Sequence, residues 1–285
     1  MSLRKRRGVM DKVFAICCFL ATFVGVVLLI VLLWSVFKDG FHRLNLDFLR
    51  KFPSYVASRS GILSPIVGSL IVMLLTAAIS VPIGVGAAIY LEEFNKRNNR
   101  WTQFVQLNIS NLAGVPSIVY GLLGLVVFVR WCMLDRSVIS GALTMSLLVL
   151  PMVIIVSQEA LRAVPSSLRE ASLALGATQW QTIRHHVLPN AAPGILTGII
   201  LALSRAIGET APLIVVGAVG MANFLPKSLK DGFVVLPLQV YQWSSRPEKA
   251  FHENAAAAIV VLLVTLVFLN SIAIFLRQKY SKKQA

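Results

Sequence analysis

Along the chain, charged side chains are bunched into short polar intervals separated by long apolar runs. A hydrocarbon core of about 30 Å needs about 20 helical residues, and five charge-free stretches reach that length: 13–37, 60–91, 101–129, 137–158 and 254–276. A sixth apolar pattern of helical period, over 189–220, is interrupted only by Arg205 and Glu209. Trimmed at their Pro, Gly and Asn residues, these runs predict transmembrane helices over about 13–37, 66–91, 112–129, 137–158, 192–218 and 255–276. Residues Asn108 to Asn111 predict an interfacial stretch ahead of the third. The expected fold class is therefore an all-α polytopic membrane protein of six transmembrane helices, with both termini on the same side.

Composition excludes the soluble alternatives. The 285 residues are 56% hydrophobic and 14% charged, with a mean hydropathy of +0.76, whereas soluble chains carry about 25% charge. The net charge of +15 then bears on membrane orientation rather than on nucleic acid. Of the 27 Lys and Arg, 15 fall on the side of the termini and 11 on the other, with Arg205 inside a span. The positive-inside rule places both termini in the cytoplasm. Arg4, Lys5, Arg6 and Arg7 precede the first run like a signal-peptide n-region, but the run is too long for a cleavable segment and no Ala-x-Ala follows, so a retained anchor is expected. Cys17, Cys18 and Cys132 have neither disulfide nor metal spacing and are expected to act as small apolar packing residues.

The polar interval 159–190 is the most structured loop. Ser167 with Glu170, and Thr178 with Gln181, have capping-box spacing, and Gly176 between them stands where a helix end requires positive φ. These signals predict two short helices, 168–175 and 179–187, closed by Leu188-Pro189. One reading lays this hairpin on lipid headgroups. Its few basic residues, Arg162, Arg169 and Arg184, are offset by Glu159 and Glu170, which suits a groove on a partner protein better.

The sequence Glu170-Ala171-Ser172, then Gly176, then His186-Val187-Leu188-Pro189 resembles the Glu-Ala-Ala loop of ABC importer permeases, with Ser172 and His186 departing from the pattern. Residues 114–121 (GVPSIVYG), 205–213 (RAIGETAPL) and 236–241 (LPLQVY) are similar to the phosphate-importer permeases of the PstA family. The resemblance implies a type I ABC importer permease domain over 66–276, preceded by a tail, anchor helix and outer segment over 1–61 and followed by a cytoplasmic tail over 277–285. It further implies that Glu170, Ala171, Gly176, Leu188 and Pro189 couple to a cytoplasmic ATPase. The implied partners are a PstC-like permease, two PstB-like ATPase subunits that bind ATP and Mg, and a PstS-like phosphate-binding protein. The implied location is the bacterial cytoplasmic (inner) membrane.

Ionisable residues at membrane depth face a protein interior or a wet pathway. Arg205 and Glu209 are one helical turn apart and could pair on one face, either to fix packing or to handle phosphate. In the second case Arg205 offers a permanently charged donor fork to an oxyanion, and Glu209 either holds Arg205 when no anion is present or repels anions until the site rearranges. Gly194, Gly198, Ala202 and Ala206 form an adjoining close-packing stripe. Pro116 and Pro212 are candidate kinks or hinges.

No Gly-x-x-x-x-Gly-Lys-Ser/Thr loop occurs, so no nucleotide site is expected in the chain, which reads as a transport subunit without catalytic residues, cofactor or metal. The outer segment 221–253 is too short for a solute-binding domain. Importing a divalent anion against an inside-negative potential costs about 2.3 kcal/mol per charge per 100 mV, so a passive pore would leak. An ATP-driven phosphate importer is the expected whole; a permease for sulfate, molybdate or phosphonate, and a stand-alone secondary transporter or channel, are the alternatives.

Overall fold

The computed structural model describes residues 3–94, 100–218 and 222–281. Lys96, Arg97, Lys282 and Lys283, which enter the charge balance above, lie outside them. Helix α1 (Leu3–Gly40) is followed by the short α2 (Leu46–Arg50) and by α3 (Leu63–Ile89), which continues as a π turn over Tyr90–Phe94. Then come α4 (Arg100–Ala113), α5 (Ser117–Gly124, extended by a π turn over Leu125–Trp131) and α6 (Val138–Arg162). The remainder is α7 (Ser166–Ala174), α8 (Gln179–Thr182), α9 (Leu188–Ile207), α10 (Ala211–Val216), α11 (Leu236–Ser244) and α12 (Lys249–Ser281). Among the described residues, five helices are long and apolar enough to cross a membrane, and the number is six if the bent pair α4 and α5 counts as one span.

Helix α6 is the hub. It packs against α3, α4, α5, α9 and α10, and its neighbours approach it through glycine. A Cβ on Gly84 of α3 would sit 2.6 Å from the Val153 side chain, one on Gly124 of α5 2.1 Å from Thr144, and one on Gly198 of α9 2.5 Å from Val156. In lipid, apolar surface gives helices little reason to associate, so close backbone approach and interhelical hydrogen bonds hold the bundle. One such bond is the reciprocal amide pair of Gln106 and Gln158, at 2.9 and 3.0 Å, which joins α4 to α6. Helix α1 packs on α12, with Gly40 against the backbone of Ala256 and Ala257 and the Arg43 Nε donating to Asn254 Oδ1 at 2.7 Å.

Several elements differ from the sequence expectation. The third span is not one helix over 112–129: α4 and α5 meet at 101° across residues 114–116. Pro116 is not a kink but the N-cap of α5, and it biases Val115 away from helical backbone while Gly114 relaxes the turn. Asn108 and Asn111 lie within α4. The fifth span is not continuous over 192–218, because α9 ends at Ile207 and α10 restarts at Ala211. Pro212 sits in the first turn of α10, where its missing donor costs nothing, so it starts a helix rather than kinking one. Leu188-Pro189 does not close the hairpin: α8 runs through a π turn over Ile183–Val187 directly into α9. That π turn ends two residues before Pro189, where the α ladder loses a donor. The Ser167–Glu170 box is not formed either, since Pro165 is the N-cap and makes no side-chain cap. All three cysteines are exposed rather than packed.

The segment after α10 is also more than a connector. Phe233, Val234, Val235, Leu236 and Trp243 are fully buried, with Phe233 seated over Gly141 of α6. The Leu236 N–H donates to Ser69 Oγ of α3 at 2.8 Å.

Because Gly198 lets α9 reach α6, Gly198→Leu should lower the thermal midpoint of the detergent-solubilised protein, at a cost of about 1–3 kcal/mol. Gly25→Leu, where a Cβ meets nothing within 4 Å, should leave it unchanged; fluorescence-detected thermal unfolding compares the two.

Candidate functional site: a cleft between two broken helices

The two helix breaks face each other. Residues 112–117 of the α4–α5 break and Arg205, Ala206 and Glu209 of the α9–α10 break line one cleft of about 350 Å³, whose back wall is Leu148, Val149 and Met152 of α6. These three lie at the middle of α6, so the cleft is at mid-span depth. Each break is held by local bonds. The Tyr120 hydroxyl donates to the Leu112 carbonyl at 2.7 Å, which also accepts the Val115 N–H at 3.1 Å, so one α4 carbonyl ties both sides of the break together. The Gly208 and Glu209 N–H groups donate to Arg205 and Ala206 carbonyls. Outward of the cleft, α5 and α10 pack directly: a Cβ on Gly121 would sit 2.8 Å from Pro212 Cα. Thus Pro116 and Pro212, expected as kinks, both bound this region.

Arg205 is in the last turn of α9, where the helix C-terminus favours a cation. Glu209 is outside the helix, in the turn that follows. The pair is therefore not two residues stacked on one helical face: Nε and Oε1 are 4.0 Å apart, beyond hydrogen-bonding distance. Among the described residues, the Arg205 guanidinium donates no hydrogen bond. Its side chain is 67% exposed on the open side of the cleft, against 23% for Glu209. The small-residue stripe lies behind it, with Gly198, Ala202 and Ala206 buried and Gly194 against Ala160 of α6.

The hairpin is the second site element. Gly176 has φ +84°, the left-handed conformation expected there, and closes α7 as a Schellman motif: its N–H donates to the Leu173 carbonyl at 2.9 Å and that of Ala177 to Ser172 at 3.2 Å. The Thr178–Gln181 capping box opens α8. Glu170, Ala171 and His186 are exposed, while Leu188 and Pro189 are half-buried. Leu168, Leu173 and Trp180 are exposed on the hairpin, and Leu175 is 90% exposed at its tip. Sequence reasoning missed what fixes the hairpin to the bundle. Arg169 of α7 pairs with Glu93 at 2.6 Å, beside the pair of Arg162, the last residue of α6, with Glu92 at 2.8 Å; the Glu92-Glu93 doublet at the end of the second apolar run was the available signal.

The model of the family described as "Binding-protein-dependent transport system inner membrane component" matches residues 80–283. The probable ABC transporter permease protein YqgI of Bacillus subtilis is 36% identical over 187 residues, covering 66% of this chain and 63% of that protein. The phosphate transport system permease protein PstA 1 of Mycobacterium tuberculosis is 33% identical over 282 residues, covering 96% of this chain and 91% of that one. Among solved structures, a chain of a bacterial alginate ABC transporter superimposes with a TM-score of 0.64 at 16% identity, over 94% of this chain and 93% of that one, which establishes the fold.

At Gly176 a Cβ meets nothing within 4 Å, so only backbone strain penalises a side chain there. Gly176→Val should cost about 1–2 kcal/mol and speed tryptic cleavage at the exposed Arg184; Gly176→Asn, which tolerates positive φ, should be cleaved as slowly as the wild type.

Proposed function

The chain belongs to the family of binding-protein-dependent transport system inner membrane components, and we propose that within it this chain is the permease subunit of an ATP-driven phosphate importer. The observation that carries the reading is the cleft at Arg205, in a chain similar along nearly its whole length to a phosphate permease. A guanidinium with unused donors at mid-span depth suits a tetrahedral oxyanion, which accepts several hydrogen bonds and neutralises the charge. Discontinuous helices meeting at the bilayer midplane are a general way to build a solute site from helix ends. Glu209, close but not hydrogen-bonded, is positioned to restrain Arg205 in the absence of anion and to release it when anion arrives.

The exposure of Arg205 supports a two-permease pathway. An arginine at this depth is not left facing lipid, so the open side of the cleft is completed by a second permease of PstC type. The exposed apolar tip of the hairpin, Leu175 with Leu168 and Leu173, suits the groove of a PstB-like ATPase on the cytoplasmic side, where ATP and Mg would bind. A PstS-like protein would deliver phosphate at the outer face. In this reading the chain lies in a bacterial inner membrane with both termini in the cytoplasm, as the positive-inside count of the sequence supports.

Two measurements test the reading. Purification in mild detergent should bring an ATP-hydrolysing subunit with the chain; its absence would count against ATP-driven import. In the complex, Arg205→Gln should insert and assemble yet lose most phosphate uptake, and Arg205→Gln combined with Glu209→Gln should remain inactive. Recovery of full uptake in the double variant would reduce the pair to a packing role.

A further inference from the structure

Three contacts join the coupling hairpin to the inner end of α3, and one of them is shared with the end of α6. The Arg169 Nη2 donates to Glu93 Oε1 at 2.6 Å while its Nε also reaches both carboxylate oxygens, at 3.2 and 3.3 Å. The same guanidinium donates to the Leu161 and Val164 carbonyls at the end of α6, at 2.9 and 2.8 Å. Gln179 Nε2 donates to the Glu93 carbonyl. The Phe94 and Trp180 rings lie 6.4 Å apart. The Arg169 and Glu93 side chains are only 23% and 8% exposed, so screening by water is small and breaking the pair would leave a largely buried charge.

The other end of α3 is fastened as firmly. The Ser64 hydroxyl donates to the Ala222 carbonyl, Gly68 lies directly against the Val234 carbonyl, and Ser69 accepts from the Leu236 N–H. With its π extension α3 runs without a break from Leu63 to Phe94, taking Pro82 within it, in contrast to the broken pairs that line the cleft. It touches the hairpin at one membrane face and the buried segment 233–236 at the other, and none of its residues lines the cleft.

We infer that Glu93 and Arg169 are positioning residues that lock the hairpin to α3, so that displacement of the hairpin is carried along α3 to the outer segment 222–236. The inference rests on the hairpin's proposed role in docking the ATPase. Because α3 is continuous between the two faces and the ion pair is its sole charged fastening to α7 among the described residues, loss of Glu93 should disconnect hydrolysis from transport without removing either docking surface or cleft.

The test uses the whole complex in proteoliposomes and reads phosphate taken up per ATP hydrolysed. Glu93→Ala should keep ATPase association and hydrolysis while that ratio falls by about tenfold or more; Glu93→Gln, which still accepts from Arg169, should fall less. Glu93→Cys with Arg169→Cys, in a background without Cys17, Cys18 and Cys132, should regain the ratio when a bifunctional thiol reagent bridges the two positions. An unchanged ratio in Glu93→Ala, or no gain on bridging, would overturn the inference. Loss of ATPase association in Glu93→Ala would also overturn it, by making the pair part of the docking surface. Failure of the wild-type chain to bring down any ATPase would instead reject the docking role on which the inference rests.

Discussion

Every other feature of the molecule depends on how closely α3, α5 and α9 approach α6. In a bilayer the hydrophobic effect does little to bring helices together, and what remains is dispersion over well-fitted surfaces and hydrogen bonds that lipid cannot supply. Glycines 84, 124 and 198 allow that fit at three places around one helix. With α6 so enclosed, the neighbouring crossings can be interrupted at mid-depth, because the backbone groups freed at each break face protein and cleft rather than hydrocarbon.

Those interruptions make the chemistry. A continuous helix would bury its polar groups in its own ladder; two breaks set opposite one another free backbone, a tyrosine staple and one arginine into a shared cleft. Helix α3, unbroken and outside the cleft, keeps a different task. The same chain therefore carries two helix breaks that line the cleft and one continuous helix, α3, that stays outside it. The loose 4.0 Å approach of Glu209 to Arg205 fits a site that exchanges partners, whereas the tight Arg169–Glu93 pair fits a fastening.

Much of this was legible in the sequence, for particular reasons. Long charge-free runs reveal spans because bilayer thickness leaves little freedom, and Gly176 with Thr178 and Gln181 reveals a helix end because few residues meet those backbone demands. The small stripe beside Arg205 was legible for the same kind of reason. The breaks at 114–116 and 208–210 were not, since apolarity continues across them and proline within a span signals a kink, a break or a helix start equally well. The continuation of α8 into α9 was masked by Pro189, which a π turn accommodates. The Arg169–Glu93 fastening lay beyond reach because its partners are 76 positions apart, and charge balance within 159–190 sets its three arginines against Glu159 and Glu170. Residues 233–238 resembled a loop because their burial is tertiary.

The most direct measurement is uptake of radiolabelled phosphate by the complete complex in proteoliposomes, with the substrate-binding protein outside, with and without ATP inside, and with excess sulfate as competitor. The account expects uptake that requires ATP and is unaffected by sulfate. Uptake abolished by sulfate, or equal uptake by this chain alone without ATP, would contradict it.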